Sequence, residues 1–422
     1  MKIEDLNTKT ELLKALKDLE YTEFTPIQEK CIPNIREGKD VVGQSSTGSG
    51  KTVAFGLPIL EKIEHDKGLQ CLILTPTREL CLQVTDVIKD LGKYLNMKVT
   101  SVYGGAAIEP QIHNIQRADI VVGTPGRIID HMKRRTINFD NVKFLVLDEA
   151  DRMFDMGFIK DIEYIIRNVP KKRQTLLFSA TIPHDVHKII ERHLHSPVYV
   201  KTQTLVAEHL LKQVYYDIKT DEKFSLLVHL LKKNPKGMAI VFCGTRREAD
   251  VVGRNLYKNG INCLSIHGGM KQGKRIQSIE ALKNDKIKVL VATDVAARGL
   301  DIRNVSHIYN YDVPNTAEEY LHRIGRTARA GDEGDAVTLL TERDHDSFRS
   351  ILRNVRSEIA RAEKPEFENV YFERRERFSR PSFGYNRDRS HTDRERIQSN
   401  NRRGRGFKRI GSRFGNRNRR RS

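Results

Sequence analysis

The sequence predicts an α/β protein: two parallel-sheet domains in tandem, followed by a disordered basic C-terminal tail. Three observations carry this expectation. Short apolar, β-branched runs recur between amphipathic helical stretches, as strands buried on both faces of a parallel sheet require. That rhythm pauses at residues 202–213 and then resumes. From about residue 366 it stops, and arginine, glycine, asparagine and serine take over, leaving too little apolar surface to offset the entropy of ordering.

In chain order, the first strands are expected in KDVVGQ, CLILTP, MKVTSVYGG, DIVVGTP, FLVLDEA and QTLLFSAT. The second set is GMAIVFCGT, INCLSIHGG, IKVLVATD, HIYNYDVP and DAVTLLTE. The resulting boundaries are a first domain at 1–205, a linker at 206–212, a second domain at 213–365 and a tail at 366–422.

Charge divides the chain in the same way. Of the net +19, residues 371–422 hold 18 Lys+Arg against 5 Asp+Glu, so +13 lies there and +6 on the remainder. Seven aromatics (Tyr371, Phe372, Phe378, Phe383, Tyr385, Phe407 and Phe414) are interleaved with those cations, a composition suited to phosphates and unpaired bases. No apolar run reaches membrane-spanning length, and MKIEDLNTKTELLKAL lacks the apolar block of a secretory signal. The five cysteines show no C-x-x-C spacing, so neither structural zinc nor a disulfide framework is expected. A cytoplasmic protein is expected, and a monomer, since no spare domain is left to dimerise.

Two stretches carry the chemistry. GQSSTGSGKT (43–52) lies between strand-like DVV and helix-like TVAFGLPILEKI, the setting of a phosphate loop. Successive backbone N–H groups from Ser45, Ser46, Thr47, Gly48, Ser49 and Gly50 would face a phosphate, with Lys51 adding charge and the Thr52 hydroxyl available to Mg²⁺. FLVLDEAD (144–151) is an apolar strand ending in adjacent carboxylates. Asp148 can hold Mg²⁺ through water, and Glu149 can orient and deprotonate the attacking water.

With Asp-Glu-Ala-Asp at 148–151, the chain resembles the DEAD-box RNA helicases of superfamily 2. The ordered series PTREL (76–80), GG (104–105), TPGR (124–127), SAT (179–181), VFCGT (241–245), HGGMKQGKR (267–275), ATDVAARGLDI (292–302) and HRIGRTARAG (322–331) extends the resemblance over residues 1–345. It implies two RecA-like domains, ATP and Mg²⁺ as cofactors, and RNA, as single strands and short duplexes, as the partner. No small-molecule substrate besides ATP and no membrane are expected.

By the same resemblance, FTPIQ (24–28) is the adenine-reading Q motif, with Gln28 on the base edge and Tyr21 as a packing surface. Phe24 and Ile3 stand where the family usually has proline and phenylalanine, so looser stacking on adenine is expected. Arg326 and Arg329, three apart and expected on one side of a helical turn, would neutralise charge on the γ-phosphoryl from the second domain. Gly299 and Asp301, with Asp294, resemble the nucleotide-sensing loop; Ser179, Thr181 and His322 would couple hydrolysis to the domain interface. RNA contacts are expected from Thr77, Arg78, Gly104, Gly105, Thr124 and Arg127 on the first domain, and from Arg246, Gly268, Gln272 and Thr293 on the second. The expected activity is ATP-driven, sequence-indifferent unwinding of short duplexes. An ATP-gated clamp or annealing chaperone dominated by the tail, and a DNA translocase, are the alternatives.

Overall fold

The structure, a computed structural model, describes residues 2–45, 48–202, 211–234, 237–297, 305–327, 333–355 and 357–374; of Asp5, Gln272 and Val295 it describes the backbone only. One compact unit runs to Arg374. Within it lie two seven-stranded sheets, and every strand pairing within them is parallel.

The first sheet is built from β1 (Val41–Gln44), β2 (Cys71–Leu74), β3 (Val99–Val102), β4 (Ile120–Gly123), β5 (Phe144–Asp148), β6 (Gln174–Ser179) and β7 (Val198–Lys201). Their spatial order is β3-β4-β2-β5-β6-β1-β7. Side chains alternate between two cores: Val41, Ile73 and Val146 point to one, Val42, Leu72 and Leu145 to the other. Helices cover both faces. The helix Arg78–Leu91 shows how the sequence sets one: Thr77 Oγ1 accepts the Leu80 N–H at its start, Cys81, Val84, Ile88 and Leu91 bury at helical spacing, and Gly92 follows as its C-cap.

The second sheet comprises β8 (Leu211–Asp217), β9 (Met238–Cys243), β10 (Cys263–Ile266), β11 (Val289–Thr293), β12 (Val305–Asn310), β13 (Gly334–Leu340) and β14 (Ala360–Arg361), ordered β10-β11-β9-β12-β13-β8-β14. It too separates two cores.

Three strands lie outside the sequence expectation. β7 is an edge strand with half its residues exposed, and β14 is two residues long, so neither leaves an apolar run. β8 begins at Leu211, inside the stretch read as linker, because LKQVYYD alternates buried and exposed positions instead of running apolar. Packed chain also continues past the expected boundary at 365. Phe367, Val370 and Phe372 lie against the second-lobe core, with Phe372 tilted on Phe224 at 4.6 Å. Ser225 Oγ accepts the Val370 N–H at 3.0 Å, and Asn255 exchanges two hydrogen bonds with the Glu373 backbone. These three apolar residues are too sparse to register as periodic. The rest of the tail, 375–422, lies outside the described residues.

Candidate active site

In a parallel sheet the loops at the carboxyl ends of the strands form the natural crevice, and here they carry the motifs. Register brings Gln44 of β1 opposite Ser179 of β6, and Asp148 of β5 opposite Phe178. The chain after β1 passes through Gly48 (φ 82°) and Gly50 (φ 90°) into the helix Lys51–Lys62. At Gly50 a Cβ would collide with the Gln28 amide, so glycine is required by conformation and by space. Lys51 is buried and donates to the Ser45 carbonyl at 2.9 Å, while Ser45 and Ser49 join hydroxyls at 2.8 Å. Ser46 and Thr47 lie outside the described residues.

Gln28 is fully buried and both ends of its amide meet backbone. Its Oε1 accepts the Thr25 N–H at 2.9 Å and its Nε2 donates to the Gly50 carbonyl at 3.0 Å; Thr25 Oγ1 also donates to Ser49 O at 2.7 Å. The FTPIQ segment is thus bolted onto the phosphate loop. Tyr21 is half-buried against the first-lobe core, and both departures, Ile3 and Phe24, are core residues.

Asp148 is 3% exposed, and burial pushes its carboxyl up to about 7 against the pull of Lys51. Its Oδ1 accepts the N–H of Glu149, a residue held in the left-handed region at φ 51°. Burial also pushes Glu149 up, but Arg152, Lys51 and Arg326 outweigh it and hold its carboxyl below the ordinary value. The partner the sequence did not suggest is Arg152: it is buried, one turn on from Glu149, and ion-paired to it. Asp151 faces the SAT stretch. Its Oδ2 accepts from the backbone of Ala180 and Thr181 and from Thr181 Oγ1 at 3.0 Å, while Ser179 Oγ accepts the Asp151 N–H.

From Thr181 the contacts cross to the second lobe. Its hydroxyl also lies 2.8 Å from Glu318 Oε1, and Asp151, Glu318 and His322 place ligand atoms within 4.8 Å of one another. A second crossing joins Arg275 to the buried Glu79 at 3.0 Å. Both residues sit in stretches singled out above, yet nothing in the sequence pairs them.

Arg326 is buried and close enough to Glu149 to stabilise its negative charge. The helix Ala317–Ile324 ends at Gly325, and Arg326 lies in the turn beyond it. Arg329, Gly299 and Asp301 lie outside the described residues. Asp294 is committed to Arg323, which grips it through Nε and Nη2 at 2.6 Å each. The remaining Arg323 nitrogen donates to Asn310 Oδ1 at 3.1 Å and Asp312 O at 2.5 Å, and its guanidinium lies 5.0 Å over the Phe242 ring.

The residues expected to meet RNA occupy loops at the same sheet ends. Arg78 lies over Gly104 and Gly105, where Gly105 (φ 80°) leaves no room for a Cβ beside the guanidinium. Arg127 donates to Ala106 O at 3.1 Å, and its Nη1 is buried without a partner among the described residues. Thr77 and Thr124 are helix N-caps. On the second lobe, Arg246 is exposed beside Gly268, and Thr293 is buried at the end of β11. The Gln272 side chain is outside the description.

A glycine-bent loop with a buried lysine, a strand ending in buried carboxylates and a guanidinium from the second lobe are the parts that a nucleotide-hydrolase site shared between two lobes would need. Comparison with known proteins gives the class. Residues 25–189 match the DEAD/DEAH box helicase family and 222–331 the helicase conserved C-terminal domain. The chain is 44% identical over 374 residues to the ATP-dependent RNA helicase CshA of Listeria monocytogenes, covering 88% of this chain and 72% of that protein. The DEAD-box ATP-dependent RNA helicase CshA of Bacillus subtilis is 43% identical over 365 residues, covering 86% and 74%. The chain belongs to the DEAD-box RNA helicase family.

Among solved structures, Saccharomyces cerevisiae Dbp5 bound to RNA and ADP BeF3 matches with a TM-score of 0.78 at 30% identity, covering 86% of this chain and 95% of that one. A DEAD box protein from Methanococcus jannaschii is more similar in sequence, 39%, but superposes less well, with a TM-score of 0.53 over 86% and 99%.

Proposed function

We propose that this protein is an ATP-dependent RNA helicase that binds RNA without sequence preference and separates short duplexes locally, with ATP hydrolysis driving release. The observation that carries the reading is that Lys51 of its own lobe and Arg326 of the other both lie near enough to Glu149, with Arg152, to hold its carboxyl down. Hydrolysis needs both cations, so it needs the lobes together, and a ligand that favours the closed form favours the reaction.

Lys51 would meet the β- and γ-phosphates, Glu149 would take the proton of the attacking water, and Arg326, with Arg329, would stabilise charge on the γ-phosphoryl. Release of Glu149 from Arg152 would free its carboxylate for that work. Gln28 retains one N–H and one lone pair beyond its backbone bonds, enough to read an adenine edge. Asp148, buried and short of positive partners, and Thr52 supply the hard oxygen ligands that Mg²⁺ prefers. That ion would neutralise phosphate charge. Ser179, Thr181 and His322 would report the state of the nucleotide to the interface, and Gly299 and Asp301 would sense it from the second lobe. Thr77, Arg78, Gly104, Gly105, Thr124, Arg127, Arg246, Gly268, Gln272 and Thr293 would hold the RNA backbone, with the basic tail adding affinity. We place the lobe boundary between β7 and β8, and read the protein as cytoplasmic and monomeric. Among the described residues no helix is long and apolar enough to cross a membrane.

The test is ATP hydrolysis and strand displacement with saturating RNA. Arg326→Ala should lower kcat about 10³-fold while leaving nucleotide affinity within a few-fold. Undiminished hydrolysis would refute the reading, and annealing without displacement would favour the clamp.

A further inference from the structure

The two sheets share one topology. Adding seven to each strand label of the first order gives the second. β8 therefore stands where β1 does, and the helix Lys223–Lys233 where Lys51–Lys62 does; both helices begin on a lysine. Lys223 is buried and pairs with Asp312 at 2.9 Å, just beyond β12, as Lys51 lies near Asp148 at the end of β5. The connecting segment Ile218–Glu222 has no glycine, so it cannot form a backbone cradle like the one in the first lobe.

A cavity of about 430 Å³ nevertheless opens here, and Phe372 and Arg374 of the packed C-terminal segment complete its wall. Its carboxylates are largely spent. Asp312 is neutralised by Lys223 and accepts the Gly244 N–H at 2.8 Å, and Asp344 accepts from the Thr341 N–H and hydroxyl. Glu248 is raised by burial and by neighbouring Asp312, against the pull of Lys223 and Arg374. Three lining guanidiniums remain: Arg247, Arg343 and Arg374 form no salt bridge among the described residues, although Arg374 lies near enough to Glu248 to favour its charged form. Guanidinium forks suit a phosphoryl group better than a single carboxylate, the Phe372 ring offers a flat apolar face, and the volume suits a mononucleotide.

We propose that this cavity is a second, weaker site for a small phosphorylated ligand of the nucleoside mono- or diphosphate class, gripped by Arg247, Arg343 and Arg374. The site is independent of the hydrolytic one. The test is equilibrium dialysis and calorimetry of the full chain with ADP, AMP and inorganic pyrophosphate. The wild type should bind two ADP per chain, the second at least about tenfold more weakly, and pyrophosphate should compete at the weaker site. Lys51→Ala should weaken the tight site alone. Arg247→Gln/Arg343→Gln/Arg374→Gln should lose the weak site by about tenfold or more while keeping the tight one and RNA-stimulated hydrolysis, with unchanged thermal unfolding as the check on folding. A stoichiometry of one at millimolar ADP overturns the proposal. So does adenosine competing as well as ADP, which would mean no phosphate is read, or a weak site that vanishes with Lys51→Ala and survives the triple change. Competition by 5′-phosphorylated RNA alone, with no effect of ADP or pyrophosphate, would assign the arginines to RNA instead.

Discussion

Arg323 and Arg326 lie three residues apart in one motif, and we expect them to do opposite work. Arg323→Lys keeps the charge and discards the fork. Arg323 makes two 2.6 Å bonds to Asp294, further bonds to Asn310 and the Asp312 carbonyl, and a stack over Phe242. A lysine ammonium can retain one or two of these polar contacts and no stack. Losing two charge-assisted bonds at about 1.5 kcal/mol or more each gives a cost of roughly 3 kcal/mol. For a lobe of this size that is a fall in unfolding temperature of roughly 6–12 °C. Scanning calorimetry of the full chain should show it in the second-lobe transition, with the first unchanged. Arg326→Ala should do the reverse, sparing stability and removing hydrolysis. If Arg323→Lys unfolds at the wild-type temperature, the structural role assigned to that guanidinium is wrong.

Gly50→Ala should destabilise the first lobe by about 1–3 kcal/mol and abolish ATP binding, read by chemical denaturation and calorimetry, because the new methyl must displace the Gln28 amide from a positive-φ site. Arg275→Ala should leave each lobe's unfolding nearly unchanged but raise the RNA concentration needed for half-maximal ATPase several-fold, since it removes the Glu79 contact that exists only when the lobes meet. Asp148→Asn should stabilise the nucleotide-free protein at pH 8 and not at pH 4. The sign follows from linkage: a carboxyl at about 7 when folded and 3.8 otherwise makes the native state hold the extra proton, so stability is lost as pH rises from about 4 to 7. The gain at pH 8 is at most a few kcal/mol, at about 1.4 kcal/mol per pH unit, and equal melting of the two proteins at pH 8 in EDTA would contradict it.

Strands buried on both faces announced themselves as unbroken apolar runs, which is why CLIL and FLVLD were legible and the alternating LKQVYYD was not. The phosphate loop and the acidic strand end were legible too, because backbone cradles and strand-end carboxylates are local in sequence. What stayed hidden was partnership over distance. Arg152 looks like any surface arginine until Glu149 is seen bent back toward it, and nothing local marks Arg275 for Glu79. Nor does anything local show that the helix Ala317–Ile324 stops at Gly325 and leaves Arg326 in the turn beyond it.

The segment that ends at Arg374 also bears on how the molecule can be shortened. A stop codon at 366, where the tail is expected to begin, would strip Phe367, Val370 and Phe372 from Phe224 and its neighbours and leave a greasy wound on the second lobe. Cutting after Arg374 would keep that seam closed, so the sticky behaviour of an over-trimmed protein should not be mistaken for a chaperoning role of the tail.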